Sequence, residues 1–160
     1  MSDHAADWLD EREQQAWRAY LVGTTLLMDR LDRDLRDQHG LSLTEYEILV
    51  RLSEAPGGRM RMAMLADSVS HSRSRVTHTV SRMEASGLVS RDPCLADGRG
   101  VEAVLTDAGR ASLTAAAPTH VAGVRRLLVD LASGEDFAAV GRVFNAVTDA
   151  LLENPAMDIR

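Results

Sequence analysis

Residues 62–110 read MAMLADSVSHSRSRVTHTVSRMEASGLVSRDPCLADGRGVEAVLTDAGR, and the order of patterns inside this stretch decides the fold. An apolar-periodic segment from about Met60 to Val69 turns Met62, Leu65, Ala66 and Val69 to one side, the spacing of a short helix. Ser70-His71-Ser72 is polar and turn-like. A second periodic segment, Arg73 to Ser86, sets Val76, Val80 and Met83 on one face and Arg73, Arg75, Thr77, His78 and Arg82 mostly elsewhere; Gly87 ends it. Leu88 to Arg91 is a strand candidate. Asp92 to Gly100 contains Pro93, Gly98 and Gly100 and reads as a loop, and Val101 to Leu105 alternates as a second strand. Two short helices around a tight turn, followed at once by a hairpin with arginine at its tip, predict a helix-turn-helix with a wing.

The flanks are helical. From about Glu11 to His39 the apolar positions Trp17, Tyr20, Leu21, Leu27, Met28, Leu31 and Leu35 recur every three or four residues. Asp29, Arg30, Asp32, Arg33, Asp34, Arg36 and Asp37 charge the opposite face, and Gly40 suits a left-handed cap. Ser42-Leu-Thr-Glu45 is a capping box that opens a helix to about Glu54, with Tyr46, Leu49, Val50 and Leu52 inward. Ala55-Pro-Gly-Gly58 breaks the chain. After the hairpin, Thr106 caps a helix toward Leu131 whose first turn holds Asp107, and Pro118 is expected to kink or split it. A last helix runs from Ser133 to about Glu153 with Phe137, Val140, Val143, Phe144, Val147 and Leu151 on one side. Val121, Val124, Leu127, Leu128 and Leu131 form another apolar stripe. Both ends therefore carry more greasy helix face than a single chain of this size can cover, so a partner is expected.

Composition narrows the class. The chain has 160 residues, 45% of them hydrophobic, enough for one domain with a core plus an oligomerisation arm. No apolar run approaches the roughly 20 residues of a membrane span, and the acidic start MSDHAADWLDEREQQ is unlike a secretory signal, so the expected address is the cytoplasm, at the nucleoid. The net charge of -6 hides an uneven distribution. Residues 59–100 hold 7 Arg against 4 acids, whereas residues 1–58 hold 6 Arg against 12 acids. A local field is what binds a polyanion, and the basic island coincides with the helix-turn-helix and hairpin.

The chemistry of this island suits duplex DNA. The second helix of such a pair lies in the major groove, where Arg73 and Arg75 can each fork to guanine O6 and N7. Ser72, Ser74, Thr77 and His78 can bond bases or phosphates, and the free N–H groups at the helix start can hold a phosphate. At the hairpin tip, Arg99 between Gly98 and Gly100 suits the negative potential of a narrow minor groove.

The segment resembles the MarR family of bacterial transcriptional regulators. The resemblance rests on an ordered set: Leu65-Ala66; Arg82-Met83-Glu84-Ala85-Ser86-Gly87-Leu88-Val89; Asp97-Gly98-Arg99; and Leu105-Thr106-Asp107-Ala108-Gly109-Arg110. With the flanking helices it covers roughly residues 10–153. It implies a mainly α fold with a small β-hairpin wing (α+β), a winged helix-turn-helix at 41–106 between dimerisation helices at 1–40 and 107–160. It implies a homodimeric, ligand-responsive repressor on a pseudo-palindromic operator, with double-stranded DNA as partner and no membrane role. Ser72, Arg73, Ser74, Arg75, Thr77 and His78 fall on the base-reading and phosphate-contacting surface, Arg82 near the backbone or the wing, and Arg99 at the wing tip. Asp97 corresponds to the wing acid that orients Arg91 or Arg99, and Gly98 stands where relatives often have a second arginine. The family commonly binds small anionic aromatics between the dimer base and the winged domain. In this chain that cleft would lie among the first helix, the 42–54 helix and the helix after Thr106, with Trp17, Tyr20, Met28 and Tyr46 as its candidates.

Other chemistries find little support. Cys94 is the lone cysteine and reads as an exposed thiol in the loop, without a second cysteine to resolve an oxidised form. His39, His71 and His78 lack metal-ligand spacing, so no metal or cofactor is expected. No phosphate loop, G-x-S-x-G or His-Glu-x-x-His is present, which argues against an enzyme. Two alternatives stay open: a DNA-binding autoregulator or architectural factor without small-molecule response, and a helical protein-interaction module.

Overall fold

A computed structural model describes residues 8–94 and 100–153. The first element, α1 (Glu11–His39), begins where Asp10 and Glu13 cap each other reciprocally: the Asp10 carboxylate accepts from the Glu13 N–H at 2.9 Å, and the Glu13 carboxylate accepts from the Asp10 N–H at 2.8 Å. It ends at Gly40, whose φ of 67° is the left-handed conformation that glycine adopts without strain. The charged face foreseen from sequence forms pairs four residues apart, Arg30 with Asp34 at 2.8 Å, Arg36 with Asp32 at 2.6 Å, and Arg33 with Asp29.

Ser42 and Glu45 form the expected capping box at the start of α2 (Leu43–Glu54). The Leu43 N–H donates to the Asp32 carboxylate at 2.8 Å, which fixes the start of α2 against α1. Burial raises the pKa of Asp32, but hydrogen bonds from Arg36 and Leu43 outweigh it and leave this carboxyl more acidic than usual. The Pro56–Gly58 turn then leads into β1 (Arg59–Arg61). Sequence periodicity had assigned Met60 to a helix; instead it pairs with Ala103, and the helix α3 (Met62–Ser68) starts two residues later.

Ser70 turns the chain with a φ of 52°, and Ser72 caps α4 (Arg73–Ala85) by accepting from the Arg75 N–H at 3.3 Å. Gly87, at a φ of 73°, releases the chain into β2 (Val89–Pro93). That strand reaches further than Arg91, shortening the expected loop, and pairs antiparallel with β3 (Val101–Leu105). The wing is thus part of a three-stranded sheet in the order β1-β3-β2, not a two-stranded hairpin.

Thr106 opens α5 (Asp107–Leu127); its side-chain oxygen accepts from the Gly109 N–H at 3.0 Å and lies 2.7 Å from the Gly87 carbonyl. Pro118 neither breaks nor splits this helix. A proline removes one intrahelical bond. Here the buried Ala116 and Gly123 on either side of it hold the helix in place, Gly123 directly against Leu31 of α1. A short turn at Val129–Leu131 precedes α6 (Gly134–Glu153).

The core lies where α2, α3, α4, the sheet, the end of α1 and the middle of α5 meet. Leu35, Ile48, Leu49, Leu52, Leu65, Val76, Val80, Met83 and Val89 are all fully buried there. The apolar faces of α6 and the first half of α1 are different. Trp17, Leu21, Val140, Val143, Phe144 and Val147 are exposed in this chain, and so are Val121 and Leu131. Phe144 touches α1 through the ring of Tyr20, at 5.4 Å.

Candidate nucleic-acid interface

Helix α4 is built in two halves by its sequence. Val76, Thr79, Val80 and Met83 are buried and lock one side into the core. Ser72, Arg73, Ser74, Arg75, Thr77 and His78 lie exposed together around its N-terminal end. Among the described residues, neither Arg73 nor Arg75 has a carboxylate within ion-pairing distance, so both guanidiniums keep their forks available. The Thr77 hydroxyl donates to the Arg73 carbonyl at 2.8 Å, which leaves its lone pairs free to accept. The same end is the N-terminus of α4, where the dipole favours an anion.

The remaining predicted contacts are placed differently. Arg82 lies 3.4 Å from the Glu45 carboxylate, joining α4 to the capping box of α2. Arg91 is clamped on Glu84, with Nη2 at 2.6 Å, Nε at 2.8 Å and its backbone N–H at 3.1 Å. These hydrogen bonds hold the Glu84 carboxyl below the usual carboxylate range. Asp97 and Arg99 lie outside the described residues. Cys94 is not the exposed thiol expected from sequence: it is 3% exposed, its Sγ lies 3.5 Å from the Glu102 carboxylate, and its N–H donates to the Gly100 carbonyl at 2.7 Å. A loop position was taken to mean exposure, but the extra length of β2 draws Cys94 against β3.

A cleft of about 660 Å³ opens between α1, α2 and α4. Arg36, His71, Arg75, His78 and Arg82 give it cationic or titratable walls, Asp29, Asp32 and Glu47 acidic ones, and Met28 and Leu43 an apolar part. Burial pushes the Glu47 carboxyl above its usual range, against the pull of His71 and Arg51. Of the four effector candidates only Met28 lines this cleft. Trp17 stacks on Tyr20 with ring centroids 5.5 Å apart, and Tyr46 is buried against His120 at 4.6 Å. The helix after Thr106 does not line it either; α4 takes that place, because the start of α2 docks on α1 and leaves α4 facing the gap. Arg36 and Glu47 were missed by the sequence reading. Arg36 looked like one of many charges on a solvated face, and no sequence motif singled out Glu47. Among the described residues no cluster of three potential metal ligands occurs, and no helix is long and apolar enough to cross a membrane.

Comparison with known proteins gives concordant results. The MarR family model matches residues 39–100. The transcriptional regulator PecS of Dickeya dadantii is 29% identical over 153 residues, covering 89% of this chain and 92% of that protein. Among solved structures, AbsC of Streptomyces coelicolor, a MarR family regulator, superposes with a TM-score of 0.88 at 42% identity, covering 93% of this chain and all of the other. Sco3205 of the same organism, a MarR family regulator solved in complex with DNA, gives a TM-score of 0.89 at 39% identity, covering 93% of each chain.

Proposed function

The chain belongs to the MarR family of transcriptional regulators and is a DNA-binding regulator of transcription, and from that premise we propose that it acts as a ligand-responsive homodimer on a pseudo-palindromic operator. The observation that carries this reading is the make-up of α4: one side is locked into the core while its N-terminal end presents two arginines, unpaired among the described residues, and four other polar side chains. In the major groove Arg73 and Arg75 read guanine edges, Ser72, Ser74, Thr77 and His78 bond bases or phosphates, and Arg99 of the wing enters the flanking minor groove. Arg82 and Arg91 reach the phosphate backbone only by loosening from Glu45 and Glu84.

Residues 1–40 and 107–160 form the dimer base around the winged domain at 41–106. On α1, α5 and α6 large apolar side chains such as Trp17, Leu21, Val121, Val143 and Phe144 are exposed, the kind of surface that a partner covers. A two-fold axis through it sets the recognition helices about one DNA turn apart.

The α1–α2–α4 cleft supports the ligand response. Arg75, His78 and Arg82 belong at once to the cleft wall and to α4, so an anionic aromatic seated there competes for side chains that DNA also uses. Such a ligand favours a spacing of the two α4 helices that mismatches the operator. Acting on chromosomal DNA, such a regulator works in the cytoplasm, at the nucleoid. Mobility shifts on its own upstream region, with and without aromatic carboxylates, test the reading. A retarded band that aromatic acids release supports it; absence of any preferred fragment at moderate salt refutes it.

A further inference from the structure

Asp92 on β2 and Glu102 on β3 are direct register partners, one step before the last strand pair of the wing, Pro93 and Val101. Partners directly opposite in an antiparallel pair point to the same face of the sheet. This one is turned away from α4, since the alternate face carries Arg91, which holds Glu84. Two carboxylates in that relation repel and weaken a hairpin where they face each other. Arg59, on β1, compensates. Its register partner is Val104, two residues along β3 from Glu102 and therefore on the same face. Its Nη2 donates to Asp92 at 3.2 Å, and its Nε lies 3.0 Å from Glu102 at an angle too bent for a hydrogen bond but close enough for strong attraction. Glu102 is largely buried, its side chain 15% exposed, which strengthens that attraction. The other Glu102 oxygen faces the Cys94 thiol, where the chain leaves the sheet for the tip. Arg59 thus ties all three strands at the root of the wing, with Arg61, the direct register partner of Glu102 on β1, on the same face. Gly57 and Gly58, both at a φ of 67°, turn the chain so that it starts there.

We propose that Arg59 is the positioning residue of the wing: it neutralises the facing Asp92 and Glu102 and fixes the angle at which the hairpin tip meets DNA, without contacting DNA itself. The proposal rests on the reading that the wing enters the flanking minor groove.

The experiment combines amide hydrogen exchange on the free protein with footprinting on the operator. Arg59→Met is expected to speed exchange of β2 and β3 amides by about tenfold or more. It should also erase hydroxyl-radical protection at the outer flanks of the operator while guanine N7 protection at the half-site centres persists. Arg59→Lys should fall between, because an ammonium does not fork to two carboxylates. Adding Asp92→Asn and Glu102→Gln to Arg59→Met should restore slow exchange, since nothing is left to repel. Unchanged exchange in Arg59→Met overturns the proposal, and loss of flank protection with unchanged exchange does so by making Arg59 a direct DNA contact. If wild-type protein leaves the flanks unprotected, the minor-groove reading fails instead, and the exchange rates alone judge the clamp. Should Arg59→Met fail to fold, Glu102→Gln, which removes one arm of the clamp, is held to the same two readouts.

Discussion

Gly109 lies so close to the carbonyl of Leu88 that a β-carbon built on it would stand 2.0 Å from that oxygen and 2.8 Å from a Leu105 methyl. The approach follows from the hydroxyl of Thr106, which caps α5 at Gly109 and bonds back to the carbonyls at the end of α4. Backbone meets backbone here, so no side chain can swing aside. Gly109→Ala should destabilise the fold by about 3 kcal/mol or more, at the upper end of overpacking costs. Urea unfolding of the variant measures it directly, and a midpoint within error of wild type would contradict the contact.

His120, on α5, lays its ring on Tyr46 of α2, and its Nδ1 is buried with no partner among the described residues. Burial lowers its pKa from 6.5. Below about pH 6.5 the unfolded chain therefore takes up this proton before the folded one, and stability is lost from there down to the folded-state value. His120→Phe keeps a ring for the stack and deletes the proton. Its melting temperature should fall less than wild type between about pH 7.5 and about pH 5.5. Glu47, raised by burial, has the opposite sign, contributing stability that is present below its ordinary carboxyl value and lost as pH rises through the folded one. It is unchanged in the variant, so the difference between the two curves belongs to His120. Parallel curves would sink the assignment.

What the sequence made legible follows from where the signals are local. The capping box at Ser42, the left-handed cap at Gly40, the helix end at Gly87, and the buried face Val76, Val80 and Met83 are each set by residues within a few positions of one another, and the structure places the corresponding helix ends and core there. Strand β1 has no such signal. Three residues are too few for a period, and Arg59–Arg61 is a strand only because β3, some forty residues on, supplies its partners. The same applies to the cleft. A long amphipathic α1 shows which side is apolar but not which turn meets which neighbour, so Trp17 and Tyr20 looked equivalent to Met28 although only Met28 reaches the gap.

Val143 and Val147 are exposed on α6, four residues apart on one face, with Leu151 continuing the row. If this face is covered by a second chain, Val143→Glu places a charge in an apolar interface while leaving the core of its own chain untouched. The variant should sediment as a single chain with an unchanged circular dichroism spectrum. Its operator affinity should drop by about 100-fold or more, because two linked half-sites no longer reinforce each other. A Val143→Glu protein that stays dimeric places the interface elsewhere.

Arg75 and Arg91 should respond to alanine in different ways because one guanidinium is free and the other is held. Arg75 stands exposed near the start of α4 and has no carboxylate partner among the described residues, so Arg75→Ala removes what it gives to DNA without breaking an ion pair there. Operator affinity should fall by about 1–3 kcal/mol, with preference relaxed at one base position in each half-site. Arg91 holds Glu84 through two hydrogen bonds and an ion pair joining α4 to β2. Arg91→Ala should instead let the Glu84 carboxyl return toward its ordinary range. The stability that its depressed value supplies in wild type, present above the unfolded value and lost as pH falls through the folded one, should then be missing at neutral pH, so that the two proteins converge in acid. Base preference should be retained. Binding selections on randomised half-sites with both variants, alongside acid unfolding curves, separate the two roles; relaxed base preference in Arg91→Ala, or none in Arg75→Ala, would reverse them.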